Sequence, residues 1–414
     1  MRRIRERVAG LDVHRDSVTA ATWTLDRVTG EIVEDQQGFS TTTAGVARLG
    51  RWLLDHGVTT VAMEATGDYW KPVYYGLEGM FAELWVCNAH HVKNVPGRKT
   101  DLSDARWLAD VVAHGMVRAS FVPPEPIREL RDLSRYRKTQ VDIRAKEIQR
   151  LEKVLQDACV KFTSVASKVW LKSSRKMIEA LIAGQRDPKV LAELAEGALR
   201  SKIGELTEAL AGNWRPHHSL VATQIIAHID HLDASIEALS VEIGQRCDPF
   251  AELIERMCEV PGVSRTVAQT VIAETGADIT SFPTPQQLCA WAGVAPGNHE
   301  SAGQRRVVGA RKGQRHLRRA LLQSAKSIAR SNDSFLAARY RRLARRRGPN
   351  KAAVAVAHSI LIILWHLIAD PTQRYRDLGI DYYEQRRDPE REARHLAAKI
   401  VALGYTVTLE PTAA

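Results

Sequence analysis

Val8-Ala9-Gly10-Leu11-Asp12-Val13, near the start of the chain, and Val61-Ala62-Met63-Glu64, further along, share one pattern: a short apolar run that meets a carboxylate at its end. Runs this short and this apolar read as strands covered on both faces. Core packing alone would not select an acid there. Working outward, Val18 to Leu25 and Glu83 to Asn88 are further strand-like runs, and Thr59 to Met63 forms the strand that leads into Glu64. Thr43 to Asp55, Tyr69 to Glu78 and Asp101 to Ala113 carry helical periodicity. Two or three early strands followed by helix, strand, helix, strand, helix is the order of an α/β domain with a mixed sheet. Phe121-Val122-Pro123-Pro124-Glu125-Pro126 then punctuates the chain and predicts a boundary, so a first domain is expected over 1–122.

Beyond that boundary the sequence turns charged and helical. Ile225, Ile229, Leu232, Ile236, Leu239 and Ile243 follow heptad spacing, and Val141, Ile148, Leu151 and Leu155 form a partial earlier seam. One antiparallel helical hairpin or an intermolecular coiled coil would bury both seams. The stretch from about Lys161 to Pro216 reads as a small helical insert, and this middle domain is placed at 123–249. A third domain is expected at 250–380, with an extension at 381–414. It opens on Glu259-Val260-Pro261-Gly262-Val263-Ser264-Arg265-Thr266-Val267-Ala268, a helix, tight turn and helix. Such a turn serves either as an ordinary αα-hairpin or as a helix-hairpin-helix whose backbone N–H groups, around Gly262, Ser264 and Arg265, hold a phosphate.

The 414 residues carry a formal net charge of +11, which favours polyanionic partners. Between Arg305 and Lys351 stand 16 Lys or Arg and one acid, Asp333, a local +15 that exceeds the charge of the whole chain. A solvated helix face carries balancing acids, and this one does not, so phosphate binding is the better account. Arg305, Arg306, Arg311, Lys312, Arg315, Arg318 and Arg319 lead that run, directly after Ser301 in a loop of small residues. A serine hydroxyl needs activation, and a dense guanidinium field stabilises an attacked phosphate. His299 and His316 both stand near enough in sequence to serve as a base, and neither is favoured. The five cysteines never fall in a metal-binding spacing, which argues for reduced thiols and against zinc. The basic start runs straight into a strand without a signal-peptide core. The apolar stretch Ala352 to Ala369 is interrupted by His358 and His366 and is expected to be a buried helix, so a cytoplasmic protein without a membrane span is predicted.

Four acids of the first domain stand where metal chemistry needs them. Asp12 and Glu64 end strands, and Asp101 and Asp104 open a helix at i, i+3 spacing, on one helix face. Strand-end acids converge at one sheet edge, where a covering helix can add its own. Mg²⁺ prefers hard oxygen ligands, and a pair of such ions about 4 Å apart supports phosphoryl transfer. Taken singly, each acid also has a turn-forming or helix-starting explanation.

Together these motifs resemble the DEDD-type transposases of insertion sequences, the family of the Piv DNA invertase (insertion-sequence family one-ten). Gly10-Leu11-Asp12-Val13, Met63-Glu64-Ala65-Thr66-Gly67 and Arg98-Lys99-Thr100-Asp101-Leu102-Ser103-Asp104-Ala105 are similar to its three acidic motifs. Val260-Pro261-Gly262-Val263, the run from Phe282 to Leu288, Ala292-Gly293-Val294-Ala295-Pro296 and the run from Gly309 to Arg319 are similar to its C-terminal domain. The resemblance implies an RNase H-like (RuvC-like) first domain holding Mg²⁺ (or Mn²⁺) with Asp12, Glu64, Asp101 and Asp104. It also implies a helical, coiled-coil middle that mediates assembly as a dimer or tetramer. The implied C-terminal domain is mainly α, contains the helix-hairpin-helix, and attacks DNA with a serine. Ser301 matches that serine, although Glu300 and Ala302 depart from the commonest neighbours. Expected partners are element-end and target DNA and a structured guide RNA encoded by the element, with the protein associated with the nucleoid. The alternative is a RuvC-like junction-resolving nuclease that acts by hydrolysis only.

Overall fold

The structure is a computed structural model. It describes residues 4–26, 28–65, 67–95, 103–166, 168–297, 300–301, 303–305, 313–331, 333–386 and 388–409. The chain divides into two compact units, Met1–Val122 and Pro123–Ala414.

The first unit is built on a five-stranded mixed sheet. β1 (Arg7–Val13), β2 (Ser17–Leu25) and β3 (Ile32–Ser40) form an antiparallel meander, followed by α1 (Thr43–Asp55), β4 (Thr60–Glu64), α2 (Trp70–Leu77), β5 (Glu83–Cys87), α3 (Ala89–Lys93) and α4 (Asp104–Ala113). The strand order is β3-β2-β1-β4-β5, with β1, β4 and β5 parallel. Strand periodicity sorts the side chains between two layers. Ala9, Leu11, Val13, Val61 and Met63 face Leu49 and Leu53 of α1 and Val73 and Leu77 of α2. Val8 and Ala62 face Trp107, Leu108, Val111 and Val112 of α4 on the other side. Helices therefore cover both faces of the central strands, which explains the unbroken apolar runs. The edge strand β3, with sequence IVEDQQGFS, is exposed along most of its length and carries no such run.

Gly10 lets α4 lie directly on the sheet. A Cβ at this position would stand 2.1 Å from the Ala105 carbonyl oxygen and 2.6 Å from the Ala109 nitrogen. Ser103 caps α4, accepting from the Arg106 N–H at 3.3 Å and donating to Gln36 Oε1 of β3 at 3.0 Å.

Among the described residues, the second unit is helical apart from one small hairpin. α5 (Glu125–Asp157) and α9 (Pro216–Arg246) run antiparallel, with α6 (Lys172–Ile182), α7 (Pro188–Ala192) and α8 (Ile203–Leu210) inserted between them in sequence. Arg246 pairs with Glu129 at one end of the hairpin, Arg144 with Asp233 in its middle, and His218 with Asp157 at the other end. The two heptad seams thus meet within a single chain: Leu151, Leu155, Ile229 and Leu232 are buried, while Ile236 and Leu239 are half-buried. Each fully buried leucine or isoleucine contributes roughly 1.5–3 kcal/mol. Met177, Leu191 and Leu206 of the inserted helices join the tip end of the hairpin in one core.

α10 (Ala251–Cys258), α11 (Arg265–Thr275), α12 (Pro285–Trp291), the strands β6 (Glu300–Ser301) and β7 (Gln304–Arg305), α13 (Arg315–Ile328), α14 (Phe335–Arg347), α15 (Pro349–Ala369), α16 (Tyr382–Gln385) and α17 (Pro389–Ala402) complete the unit. Among the described residues α15 alone is long and apolar enough to cross a membrane. Its stripe of Val356, Ile360, Leu364 and Leu367 is buried inside the unit, and the Trp365 indole N–H donates to the Phe282 carbonyl at 2.8 Å. His358 and His366, which interrupt the apolar stretch, sit on this same core helix.

Candidate functional site

The carboxylates gather by strand register. Leu11 of β1 is level with Met63 of the parallel β4, so Asp12 and Glu64 follow at the same, C-terminal, edge of the sheet. Val8 and Ala62 point toward α4, and period-2 alternation carries that direction to Asp12 and Glu64. Asp104 is the first residue of α4, immediately before Ala105, whose carbonyl lies against Gly10. Asp12, Glu64 and Asp104 therefore share one edge and one face of the first unit. Asp12 and Glu64 are half-buried and Asp104 is exposed. Asp101, the fourth acid, lies outside the described residues.

Two neighbours define the electrostatics of this edge. His14 Nε2 stands 3.3 Å from Asp12 Oδ2 with its ring largely exposed. Cys87 ends β5 level with Glu64, and its thiol is pushed up to about 12, first by burial and then by the negative charge of Glu64. The cysteine is thus a neutral wall of the acidic edge. Among the described residues, the side chains whose ligand atoms lie within 4.8 Å of one another, close enough to share one ion, are Asp157, His217 and His218 of the second unit; Asp12, Glu64 and Asp104 share an edge without forming so tight a group.

In the second unit Ser301 lies on β6 and pairs with Gln304 of β7, with Gly303 in the turn at φ +75°. The segment that carries this hairpin is closed at its base. Gly293 and Gly313 touch so closely that a Cβ on Gly313 would lie 2.2 Å from the Gly293 nitrogen, and the Gln314 N–H donates to the Trp291 carbonyl at 2.9 Å. Gln314 also caps α13 and donates from Nε2 to Glu274 Oε2 at 2.7 Å. Glu274 is 1% exposed and is held further by Arg135 through two bonds of 2.9 and 2.8 Å and by Arg131. A buried carboxylate satisfied on several sides fixes α5, α11 and the start of α13 together.

The basic run is divided by the fold. Arg315, Arg318, Lys326 and Arg330 of α13 and its following turn, with Lys138 of α5, line an open groove of about 780 Å³. Arg319 also lines it, but its guanidinium is engaged by Asp142 through two 2.6 Å bonds, with Lys138 on the same carboxylate at 2.7 Å. Burial works against ionisation of Asp142, yet these two cations outweigh it and hold its carboxyl below the usual range. Arg319 accordingly joins α13 to α5 as well as facing the groove. Burial, and then the Arg135 guanidinium, push the pKa of His316 down, and its Nε2 accepts from Arg315 at 3.1 Å. That lone pair is occupied in this arrangement. Arg306, Arg311, Lys312 and His299 lie outside the described residues, and Arg305 is placed on β7.

At the α10–α11 turn Gly262 adopts φ +80°, and a Cβ there would meet Ile328 Cγ1 at 2.6 Å and the Ser324 carbonyl at 2.8 Å. The glycine is thus required by close packing on α13. Ser264 caps α11 through the Val267 N–H at 3.4 Å, and Arg265 opens the helix, exposed. Val263, Val267 and Ala268 are buried.

Sequence reasoning passed over three residues that build these features. Gly10 was part of a recognised motif, but its role as a seat for α4 depends on a helix from far along the chain. His14 directly follows the Asp12 strand, and that adjacency was the available signal. Glu274 looks like any helix-end acid, and nothing in its local sequence announces burial.

A groove lined by Arg and Lys side chains and an acid-bearing sheet edge stand in one chain, and its class is that of the DNA transposases. Residues 9–160 match the transposase model of the DEDD IS110 group, and residues 254–341 match that of the transposase IS116/IS110/IS902 family. The chain belongs to the IS110 family of transposases. It is similar to a "Probable family 20 transposase" of Pseudomonas aeruginosa, with 26% identity over 75% of this chain and 84% of that protein. It is likewise 25% identical to the "Transposase for insertion sequence element IS1111A" of Coxiella burnetii, over 75% of this chain and 78% of the relative.

Proposed function

We propose that this transposase cuts and rejoins DNA through a transient serine–DNA ester, with a metal-dependent acid site in its first unit. The observation that carries the reading is the placement of Asp12, Glu64 and Asp104 on one face of one sheet edge. The strand order β3-β2-β1-β4-β5, antiparallel then parallel, supports an RNase H-like fold for that unit. Asp12, Glu64, Asp101 and Asp104 would hold Mg²⁺ or Mn²⁺, which when bound supplies charge stabilisation for phosphoryl transfer.

Ser301 Oγ attacks a DNA phosphorus and forms a phosphate ester as a deoxyribose oxygen leaves and takes up a proton. Attack by the hydroxyl of another strand releases the serine and completes the join. The α13 groove, through Arg315 and Arg318, holds the phosphate backbone, and Gly262, Ser264 and Arg265 present the α11 N-terminus as a further, sequence-independent contact. In this reading a structured RNA encoded by the element guides target choice, and the α5–α9 hairpin contributes to assembly of a dimer or tetramer.

The test is strand exchange between element-end and target DNA with purified protein, stopped with denaturant. Wild type should yield recombinant DNA and a protein–DNA adduct that requires Mg²⁺. Asp12→Ala and Ser301→Ala should lose exchange and still bind DNA. Full exchange by Ser301→Ala removes the serine from the mechanism. Hydrolysed ends without an adduct would instead identify a nuclease that uses the acids alone.

A further inference from the structure

We propose that the cleft between α14 and α16 is a second nucleic-acid backbone site, separate from the α13 groove; the proposal rests on the transposase reading above. The family match in this unit ends at residue 341, so most of this cleft lies beyond it. The cleft encloses about 940 Å³ and is lined by Arg339, Arg341, Arg342, Arg345 and Arg346 of α14 and by Arg386 just after α16. Asp381 and Glu384 are the two acids at its margin, and α14 itself contains none.

The aromatic side chains orient this charge. Phe335 stacks on Tyr383 with ring centroids 5.6 Å apart and meets Tyr382 edge-on at 4.8 Å. Arg342 lies over the Tyr383 ring at 4.4 Å, and Arg386 lies over the Tyr382 ring at 4.8 Å. A guanidinium held over a ring has already given up rotamer freedom, and that of Arg386 also donates to the Tyr382 hydroxyl. Arg339 donates from Nη1 to the Tyr383 hydroxyl at 3.3 Å, while its buried Nε has no hydrogen-bond partner.

Several phosphates in series fit this surface better than one. Arg339, Arg342 and Arg346 recur at three- and four-residue spacing and so share one helix face over about 10 Å. In the α13 groove Asp142 answers Arg319, whereas Arg339, Arg342, Arg345 and Arg346 crowd one side of this cleft, with Asp381 and Glu384 at its margin. Like charges so placed repel, and a polyanion laid along them relieves the repulsion.

The experiment measures anisotropy of labelled short duplex DNA and labelled short RNA against salt concentration, using the full chain. Replacing Arg342, Arg345 and Arg346 together by Gln should lower the salt slope by about two to three on at least one probe and weaken binding roughly tenfold or more near 0.15 M salt. Loss confined to DNA assigns the cleft to DNA, loss confined to RNA assigns it to RNA, and either outcome supports the site. Tyr383→Ala should weaken binding without any change of charge, while Tyr383→Phe keeps the ring beneath Arg342 and should bind more tightly than the alanine variant. Arg386→Gln, on the opposite wall, provides a reading should the triple variant fail to fold. A folded triple variant with the wild-type slope on both probes overturns the site and leaves the transposase reading intact. Failure of wild type to bind either probe overturns both.

Discussion

Gly10 sets the distance between helix and sheet at the acidic edge, because the Ala105 carbonyl occupies the place where its side chain would be. Gly10→Ala should therefore lift α4 and cost about 1–3 kcal/mol of stability, with Asp104 displaced along with the helix. Thermal melts should show the loss, and strand exchange should fall further than the melt accounts for. The acids themselves should behave in the opposite way. Removing one of several neighbouring carboxylates relieves repulsion, so Asp12→Asn should melt no lower than wild type in EDTA and should gain less from added Mg²⁺. Cys87 supplies a pH test. Its folded-state value of about 12 lies above the ordinary 9.0, so an unfolded chain loses its proton first as pH rises. The contribution is fully present below about pH 9 and is lost between there and about 12, at up to about 1.4 kcal/mol per pH unit. Melts from pH 8 to 11 should consequently fall less steeply for Cys87→Ala. At this scale Asp12 and Glu64 stand out in the sequence because each ends an apolar run and Asp104 because it opens a helix, whereas the part played by Gly10 does not, since Ala105 lies far away in sequence.

At the scale of elements, the central strands and the heptad helices were readable for one reason: burial on both faces, or along one seam, leaves an apolar pattern. β3 shows the converse. Its Glu34, Asp35, Gln36 and Gln37 face solvent at a sheet edge, so no alternation marked it as a strand. The two heptad seams left open whether the partner helix lay in the same chain, and Arg144–Asp233 with Arg246–Glu129 shows the intrachain pairing. The closure of the serine segment at Gly293 and Gly313 was equally hidden, because contact between two glycines leaves no mark in composition. Glu274 gives the sharpest test of how α5, α11 and α13 are joined. Glu274→Ala would leave Arg131 and Arg135 without their buried anion and should cost about 3–5 kcal/mol. Chemical denaturation should register this, along with a fall in exchange that Ser301-independent DNA binding does not share.

For the molecule as a whole, the excess of positive charge read from composition proves to be concentrated on particular helices of the second unit, on α13 and again on α14. DNA affinity should therefore drop steeply with salt, and Arg315→Gln with Arg318→Gln should lower that slope by about two while Asp12→Ala leaves it unchanged. The α5–α9 hairpin has one consequence of its own. Asp157 and His218 meet at its far end while Glu129 and Arg246 meet at its near end, so everything between residues 158 and 215 hangs from two points already side by side. An engineer could exchange that module as one unit, provided the replacement again covers Leu151, Leu155 and Ile229, which pack against it.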